Sequence, residues 1–502
     1  MARIRTAALA LAMSLAATGT FAADLRIGLQ EDPDILDPDQ SRTFVGRIVY
    51  ASMCDKLVDI TPELEIIPQL ATGWEWSADG MALTMTLRQG ATFHDGEPFN
   101  AAAVAANIER SQTMPESRRK SELTSIASTE IVDDYTIKFN LTAPDATLLA
   151  QLADRAGMMV APKAAAEAGV DFGLNPVCSG PFKFKERVQQ DRIVLEKFAE
   201  YWNADAYHFD TVTFLPIPDT TVRLANLRAG DLDMLERLAA TDLASAKADA
   251  GLKVEQAVSL GYQGITINLA NGERAKNPLG ENKLVRQALS LAIDRDVINQ
   301  VVFEGAFAPG NQPFPPNSPW YDAKYPVQPR DVEAAKAKLK EAGLDSVDIE
   351  FQVANNPVQM QMMQVVQAMA AEAGINITLT AKEFATLLKD QTAGDYVASQ
   401  VGWSGRVDPD GNLHQFVTCK GGINDAKFCD PAVDAALETA RTTTDTAARK
   451  AAYDAAQDVL MEELPLIYLY HQTWIWALND KLSGFVPYPD GMIRLQGVSA
   501  TE

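Results

Sequence analysis

The sequence predicts an α/β protein of two or three packed units, one of them a doubly wound parallel sheet. Two observations carry this. A chain of 502 residues is too long for one ordinary core. Residues 347–402 then run strand-helix-strand-helix-strand, the order of a parallel sheet with helical crossovers. A third observation separates the units, because residues 60–185 read instead as α+β with half-exposed sheet faces.

At the start of the chain, Arg3 and Arg5 precede an apolar stretch from Ala7 to Ala17 broken only by Ser14. Thr20-Phe21-Ala22 follows as a small-x-small cleavage site before Ala23. This is the order of a secretory signal peptide over residues 1–22, and the alternative is a buried N-terminal helix. No later stretch approaches the roughly 18 uninterrupted apolar residues of a membrane span, so a soluble mature protein is expected. The formal net charge of −23 becomes more negative once Arg3 and Arg5 are lost. Such a chain repels nucleic acid and anionic lipid and argues against both as partners.

In the first half, Leu83, Met85 and Leu87 alternate with Thr84, Thr86 and Arg88, and Tyr135, Ile137, Phe139 and Leu141 alternate likewise. Period-two alternation marks half-buried strands. Between them Asn100 caps a helix from Ala101 to about Arg110. In the second half, Leu284, Ala288 and Leu291 with Val285, Leu289 and Ala292 give an amphipathic helix, and Asp294 caps the next, which ends near Gly305. Six prolines from Pro313 to Pro329 mark a stiff connector. A helix over 331–343 follows, then the strands 347–353, 375–380 and 396–402 with the helices 358–373 and 383–392.

Four cysteines in an oxidising compartment suggest two disulfides. Cys419 and Cys429 close a short loop, and Cys54 with Cys178 is the remaining pair by elimination. A four-cysteine zinc site is the alternative, but there is no C-x-x-C. His94, His208, His414 and His471 are dispersed and read as loop or surface residues. No metal and no cofactor is expected. Asp408-Pro409-Asp410-Gly411-Asn412 opens like an EF-hand loop but lacks its later Gly and Glu.

Ligands of open parallel sheets sit beyond the carboxyl ends of the strands. That rule selects two loops. One is Ala354-Asn355-Asn356-Pro357, leading into a helix that carries Gln361. The other runs from Trp403 to Asn412, where Trp403 offers a flat wall, Arg406 a five-donor fork, and Asp408, Asp410 and Asn412 acceptors. The competing readings are Trp403 as core, Asp408 and Asp410 as turn residues, and Arg406 paired with either acid. Tyr262, Arg42 and Phe44 are further wall candidates. There is no G-x-S-x-G, H-E-x-x-H, G-x-G-x-x-G or P-loop, so no catalytic residue is assigned. A hydrolase would have to build on Ser404 and His414, and a chaperone would show no stoichiometric small-molecule binding.

Several separate motifs carry a family resemblance. They are Ile67-Pro68-Gln69-Leu70-Ala71 with Trp74-Glu75-Trp76-Ser77-Ala78-Asp79-Gly80, then Leu87-Arg88-Gln89-Gly90, and Phe93-His94-Asp95-Gly96-Glu97-Pro98-Phe99. Ser179-Gly180-Pro181-Phe182-Lys183-Phe184, Asp191-Arg192-Ile193-Val194-Leu195 and Tyr201-Trp202-Asn203 follow, with Val285-Arg286-Gln287-Ala288-Leu289 and Ala292-Ile293-Asp294-Arg295 last. In these the chain resembles the family 5 extracellular solute-binding proteins, the dipeptide, oligopeptide, nickel and glutathione carriers of ABC importers.

The resemblance implies a two-lobed periplasmic binding protein of type II, in the large three-domain form with mixed sheets. Domain I would comprise 23–60, 186–275 and 479–502, domain II 61–185, and domain III 276–478. It implies a periplasmic monomer, not an enzyme, that closes over a peptide or peptide-like ligand and delivers it to ABC permease subunits of the inner membrane. Dipeptide carriers of the family place an aspartate where Arg406 stands, and an arginine near Gln361. The reversed charge disfavours a free amino terminus there and points to a ligand with an anionic or strongly polar group, such as glutathione, an opine-like conjugate or an acylated peptide.

Overall fold

The computed structural model describes residues 24–501, so the expected signal peptide over 1–22 lies outside the described residues. Two large sheets and one smaller sheet organise the rest. The seven-stranded sheet runs in the spatial order Leu252–Val258, Thr473–Asn479, Met234–Leu235, Asp24–Leu29, Thr211–Pro216, Arg192–Lys197, Phe182–Val188. Within it, Asp24–Leu29 is parallel to both Thr211–Pro216 and Met234–Leu235. A four-stranded antiparallel sheet, including Ala82–Leu87 and Thr136–Leu141, packs on the helix Ala101–Thr113. Asn100 caps that helix through Ala103 N–H, as its sequence position predicts. These two sheets form lobe one.

Lobe two is built on a six-stranded mixed sheet, ordered Ala308–Pro309, Leu466–His471, Tyr262–Ile267, Ala398–Trp403, Val347–Ala354, Ile375–Lys382. Val347–Ala354 is parallel to both Ile375–Lys382 and Ala398–Trp403. The helices Pro357–Glu372 and Phe384–Ala393 make the crossovers. This is the doubly wound unit, and its first strand has a neighbour on either side. The switch point therefore lies beside Val347–Ala354. Apolar cores fill both faces of the sheet. One holds Phe351, Met362 and Val366, the other Tyr262, Leu437 and Tyr453.

Among the described residues the chain passes between the lobes twice, at 259–261 and at 472. The two crossings are paired, since Val258 faces Thr473 and Ser259 N–H donates to the Gln472 carbonyl at 3.1 Å. Gly261 is required here, because a Cβ on it would stand 1.8 Å from the Trp403 carbonyl oxygen. The expected domain III boundaries at 275 and 478 therefore shift. Tyr262–Ile267 belongs to lobe two and Thr473–Asn479 to lobe one. The boundary expected at 185 falls inside Phe182–Val188, a strand of the seven-stranded sheet. The run from Leu466 to Asn479 is apolar across both lobes, so local pattern alone does not mark the change.

Both expected disulfides are present, Cys54–Cys178 and Cys419–Cys429. His471, expected in a loop, ends a strand and is buried, its Nδ1 2.8 Å from the Gly261 carbonyl. Among the described residues no helix is long and apolar enough to cross a membrane, and no His, Cys, Asp and Glu group is arranged to hold a metal.

Candidate functional site

The carboxyl ends of the parallel strands in both lobes point into one cleft. From lobe one, Gln30 and Glu31 follow Asp24–Leu29, and Arg237 follows Met234–Leu235. From lobe two, Ala354 ends one strand and Gly402 and Trp403 end another. Between them is a cavity with about 80 Å³ open to the centres of water molecules. Its apolar walls include Phe44, Phe384, Trp403 and Phe416. Phe44 stacks on Trp474 with centroids 4.5 Å apart, and Trp403 meets Phe416 edge-on at 4.8 Å. Both rings are thus fixed before anything enters.

The polar wall is dominated by guanidinium groups, namely Arg42, Arg47, Arg119, Arg155 and Arg237. Arg42 is held by Asp425 at 2.6 Å and by Thr392 at 2.7 Å, and so ties the lobes together. Arg47 pairs with Asp154 at 2.8 Å and donates to Ser404 Oγ across the cleft at 2.9 Å. Arg119 pairs with Glu122. Among the described residues Arg155 has no acid in an ion pair with it. It donates to the Ser41 carbonyl at 2.8 Å, and its Nε finds no partner. Burial, with Arg119 next, pushes Arg155 down to about 10, which leaves it charged at neutral pH. The one lining carboxyl, Glu31, is pushed up to about 8 by burial, against the pull of Arg237. At neutral pH four of the five lining arginines are each matched by an acid behind the wall, and the unmatched positive charge at the cavity, among the described residues, is that of Arg155.

The expected site residues fall into three groups. Trp403, Arg42 and Phe44 line the cavity. Asn356 lines a smaller adjoining chamber, caps the helix Pro357–Glu372, and reaches the Pro218 carbonyl of the other lobe at 3.3 Å. The others lie elsewhere. Arg406 is 6% exposed and acts as a strut. Its guanidinium stacks 4.0 Å over Trp403, pairs with Asp154 of the opposite lobe, and donates to the Gly405 carbonyl at 2.8 Å. Asp408 is occupied by Arg449 at 2.8 and 3.0 Å, and Asp410 by Arg441 at 2.7 Å. Asn412 accepts from Trp403 Nε1 and from the Arg406 backbone. Tyr262 is core, packed edge-on against Tyr468. Asn355 and Gln361 are exposed. Gln359 is the residue of that helix which faces the cavity, since two helical positions turn the side chain by about 200°.

Asp154 joins these parts. It receives Arg47 of its own lobe and Arg406 of the other. Burial would raise its pKa, but Arg406, Arg47, Arg155 and Arg119 outweigh that and hold it far below the carboxylate range. Further ties across the cleft are Gln151 to Asp410 at 3.2 Å and Arg441 to the Ser121 carbonyl at 3.1 Å. Ser404 Oγ accepts from Arg47 and Arg406, neither of which can take its proton, so no nucleophile-base pair forms at this serine.

Sequence reasoning missed Arg47, Arg119, Arg155, Arg237, Glu31 and Gln359. The strand-end rule would have reached Gln30, Glu31 and Arg237, had the parallel pairing of Asp24–Leu29 with Met234–Leu235 been evident. The two segments lie about two hundred residues apart, and nothing local announces the pairing.

Comparison with known proteins bears on the whole chain. The sequence profile of the bacterial extracellular solute-binding proteins, family 5 (middle part), matches residues 65–424. The glutathione-binding protein GsiB of Pectobacterium atrosepticum is 29% identical, over 93% of this chain and 92% of that protein. The dipeptide-binding protein of Escherichia coli K12 is 30% identical, over 87% and 86%. Among solved structures, the dipeptide-binding protein of Pseudoalteromonas sp. SM9913 in complex with Met-Leu superposes with a TM-score of 0.88 at 25% identity, over 95% of this chain and all of that one. The binding protein AgaA of A. tumefaciens R10 in complex with agropinic acid superposes at 0.85 and 26% identity, over 95% and 99%.

Proposed function

The chain belongs to the bacterial extracellular solute-binding proteins, family 5, and from that premise we propose that it is the periplasmic carrier of an ABC importer for a small, anionic, peptide-like solute. The observation that carries the ligand class is Arg155, a buried guanidinium at the cavity wall with no ion-pair partner of its own among the described residues. A buried charge left in this state favours an incoming carboxylate and disfavours an ammonium. The aromatic walls supply the apolar contact, and the small volume favours a compact solute over a long peptide. A glutathione-binding relative and a neighbour solved with agropinic acid fit that charge, while the dipeptide-binding relative fits the size alone. Closure over the solute, then docking on permease subunits, follows from differential affinity for the closed form. A periplasmic location and a monomeric state belong to the same proposal.

Calorimetry with glutathione, opine-type conjugates, acylated amino acids and plain cationic dipeptides tests it. Arg155→Met is expected to weaken the acidic ligands about 100-fold, as loss of a desolvated charged hydrogen bond does. Tight binding of cationic dipeptides, indifferent to Arg155→Met, would remove the proposal. Turnover of any of these ligands would favour a hydrolase instead.

Glu31 adds a pH dependence. Its raised pKa keeps it neutral up to about 8, and above that it becomes an anion beside an anionic solute. If the solute binds the protonated form, affinity falls about tenfold per pH unit above 8. Glu31→Gln should abolish that slope in titrations across the alkaline range. A flat native profile would contradict this.

A further inference from the structure

The main cavity continues into a second, smaller chamber beside the interlobe crossings. The two share Gln30, Arg237 and Gln359. The side chamber has about 50 Å³ open to the centres of water molecules and is walled by Phe303, Phe307 and Tyr470. Arg237 stands where the two meet. Its guanidinium lies 4.6 Å over the Phe44 ring and 5.3 Å from the Trp474 ring, so its direction is set by two fixed aromatic faces.

The backbone is arranged to place it there. Arg237 has φ +50°, a left-handed conformation that few residues other than glycine adopt and that carries strain. The turn is pinned from behind, where Arg223 donates to the Arg237 carbonyl at 2.9 Å and Leu238 N–H to the Ile475 carbonyl at 2.8 Å. Among the described residues the only acid paired with Arg237 is its neighbour Glu236, whose carboxylate lies 3.4 Å from Arg237 Nε and also accepts from Gln30 N–H at 2.7 Å. Among the described residues three buried polar atoms of the chamber's lining make no hydrogen bond, namely Gln359 Oε1, Gln472 Nε2 and Arg237 Nε, the last of which is the atom that faces Glu236 at 3.4 Å. Two are donors and one is an acceptor. A carboxylate with an amide N–H next to it would satisfy the two glutamines, because the carboxylate accepts from Gln472 while the N–H donates to Gln359, and it would share the Arg237 guanidinium with Glu236.

We propose that the solute is doubly acidic, with one acidic group held by Arg155 and Arg119 in the main cavity and an amide-linked carboxylate held by Arg237 at the side chamber. The inference rests on the anionic-solute reading above and names the class within it, an N-acyl or peptide-linked amino acid bearing a second acid. Arg237 is then the residue that separates doubly from singly acidic ligands.

The experiment uses the full mature protein, freed of bound solute, with glutathione and N-succinyl-alanine as probes, each compared with the form amidated at its C-terminal carboxyl. In the native protein amidation should weaken binding about 10- to 100-fold. Arg237→Asn, which tolerates the left-handed backbone, should weaken the acids by about that factor more than the amides, so that acid and amide become equal. Equal binding of acid and amide by the native protein overturns the inference while leaving the anionic-solute reading intact. So does an Arg237→Asn variant that weakens both forms alike, since that is a structural effect. Failure of the acids to bind at all removes the anionic-solute reading and this inference with it.

Discussion

Asp154→Ala is expected to destabilise the protein by about 3–5 kcal/mol, the usual consequence of removing one member of a buried ion pair and leaving the other charged. Here two cations lose their partner together. Arg47 and Arg406 both address this carboxylate, and Arg155 and Arg119 are close enough to shift its titration. Because Arg406 sits on the opposite lobe, part of the loss falls on the closed arrangement alone. The variant should therefore melt earlier, show a larger radius of gyration in solution scattering, and bind solute less tightly because closure is less favourable. Adding Arg406→Met to Asp154→Ala removes one orphaned charge and should recover part of the stability. The depressed pKa of Asp154 fixes the pH behaviour as well. Its contribution is complete above the carboxyl's ordinary range and declines as pH falls from there toward the much lower folded value, but the pair itself stays charged until that lower value, so mild acid should not release the latch. Unchanged melting and scattering in Asp154→Ala would show that the strut carries no weight.

The strand-end rule placed Trp403 beside the cavity but not Arg406, and the reason lies in one turn. Gly405 takes φ +87°, and a Cβ on it would stand 2.3 Å from the Leu260 backbone. The chain folds back there against the interlobe crossing, and Arg406 is carried behind Trp403 toward Asp154. A sequence pattern identifies where a parallel strand stops, because alternation and apolar runs end there. It does not encode where the third residue beyond that end points. Gln361 is a different kind of miss. Once Asn356 is read as the cap, helical geometry alone separates the face of Gln359 from that of Gln361, so the correct residue was legible. Arg155 was not. It sits in a short turn after Leu148–Leu152 in the lobe-one sheet region, and only tertiary packing brings it beside Arg47 and Trp403. The doubly wound unit, by contrast, was readable throughout, since each of its strands and helices carries its own period and stop signal.

Removing the Cys54–Cys178 bridge by Cys54→Ala with Cys178→Ala is expected to destabilise the protein by about 5 kcal/mol, against about 3 kcal/mol for Cys419→Ala with Cys429→Ala. The difference follows from the loops they close, with sequence separations of 124 and 10, because the longer loop removes more entropy from the unfolded chain. The long-range bridge also bears on the cavity. Cys54 ends the helix Phe44–Met53, whose other end presents Phe44 and Arg47. Cys178 lies beside Val160 and His94 at the edge of the segment that supplies Asp154 and Arg155. The bridge thus joins the two pieces of backbone that hold the cationic wall. Reduction should lower the affinity for an acidic solute as well as the unfolding midpoint, whereas loss of the Cys419–Cys429 bridge should affect the midpoint more than the affinity. Denaturant unfolding and calorimetry on the two double variants at one pH give both quantities. The reverse ranking, or an affinity untouched by the loss of Cys54–Cys178, would mean that this wall is held by its ion pairs alone.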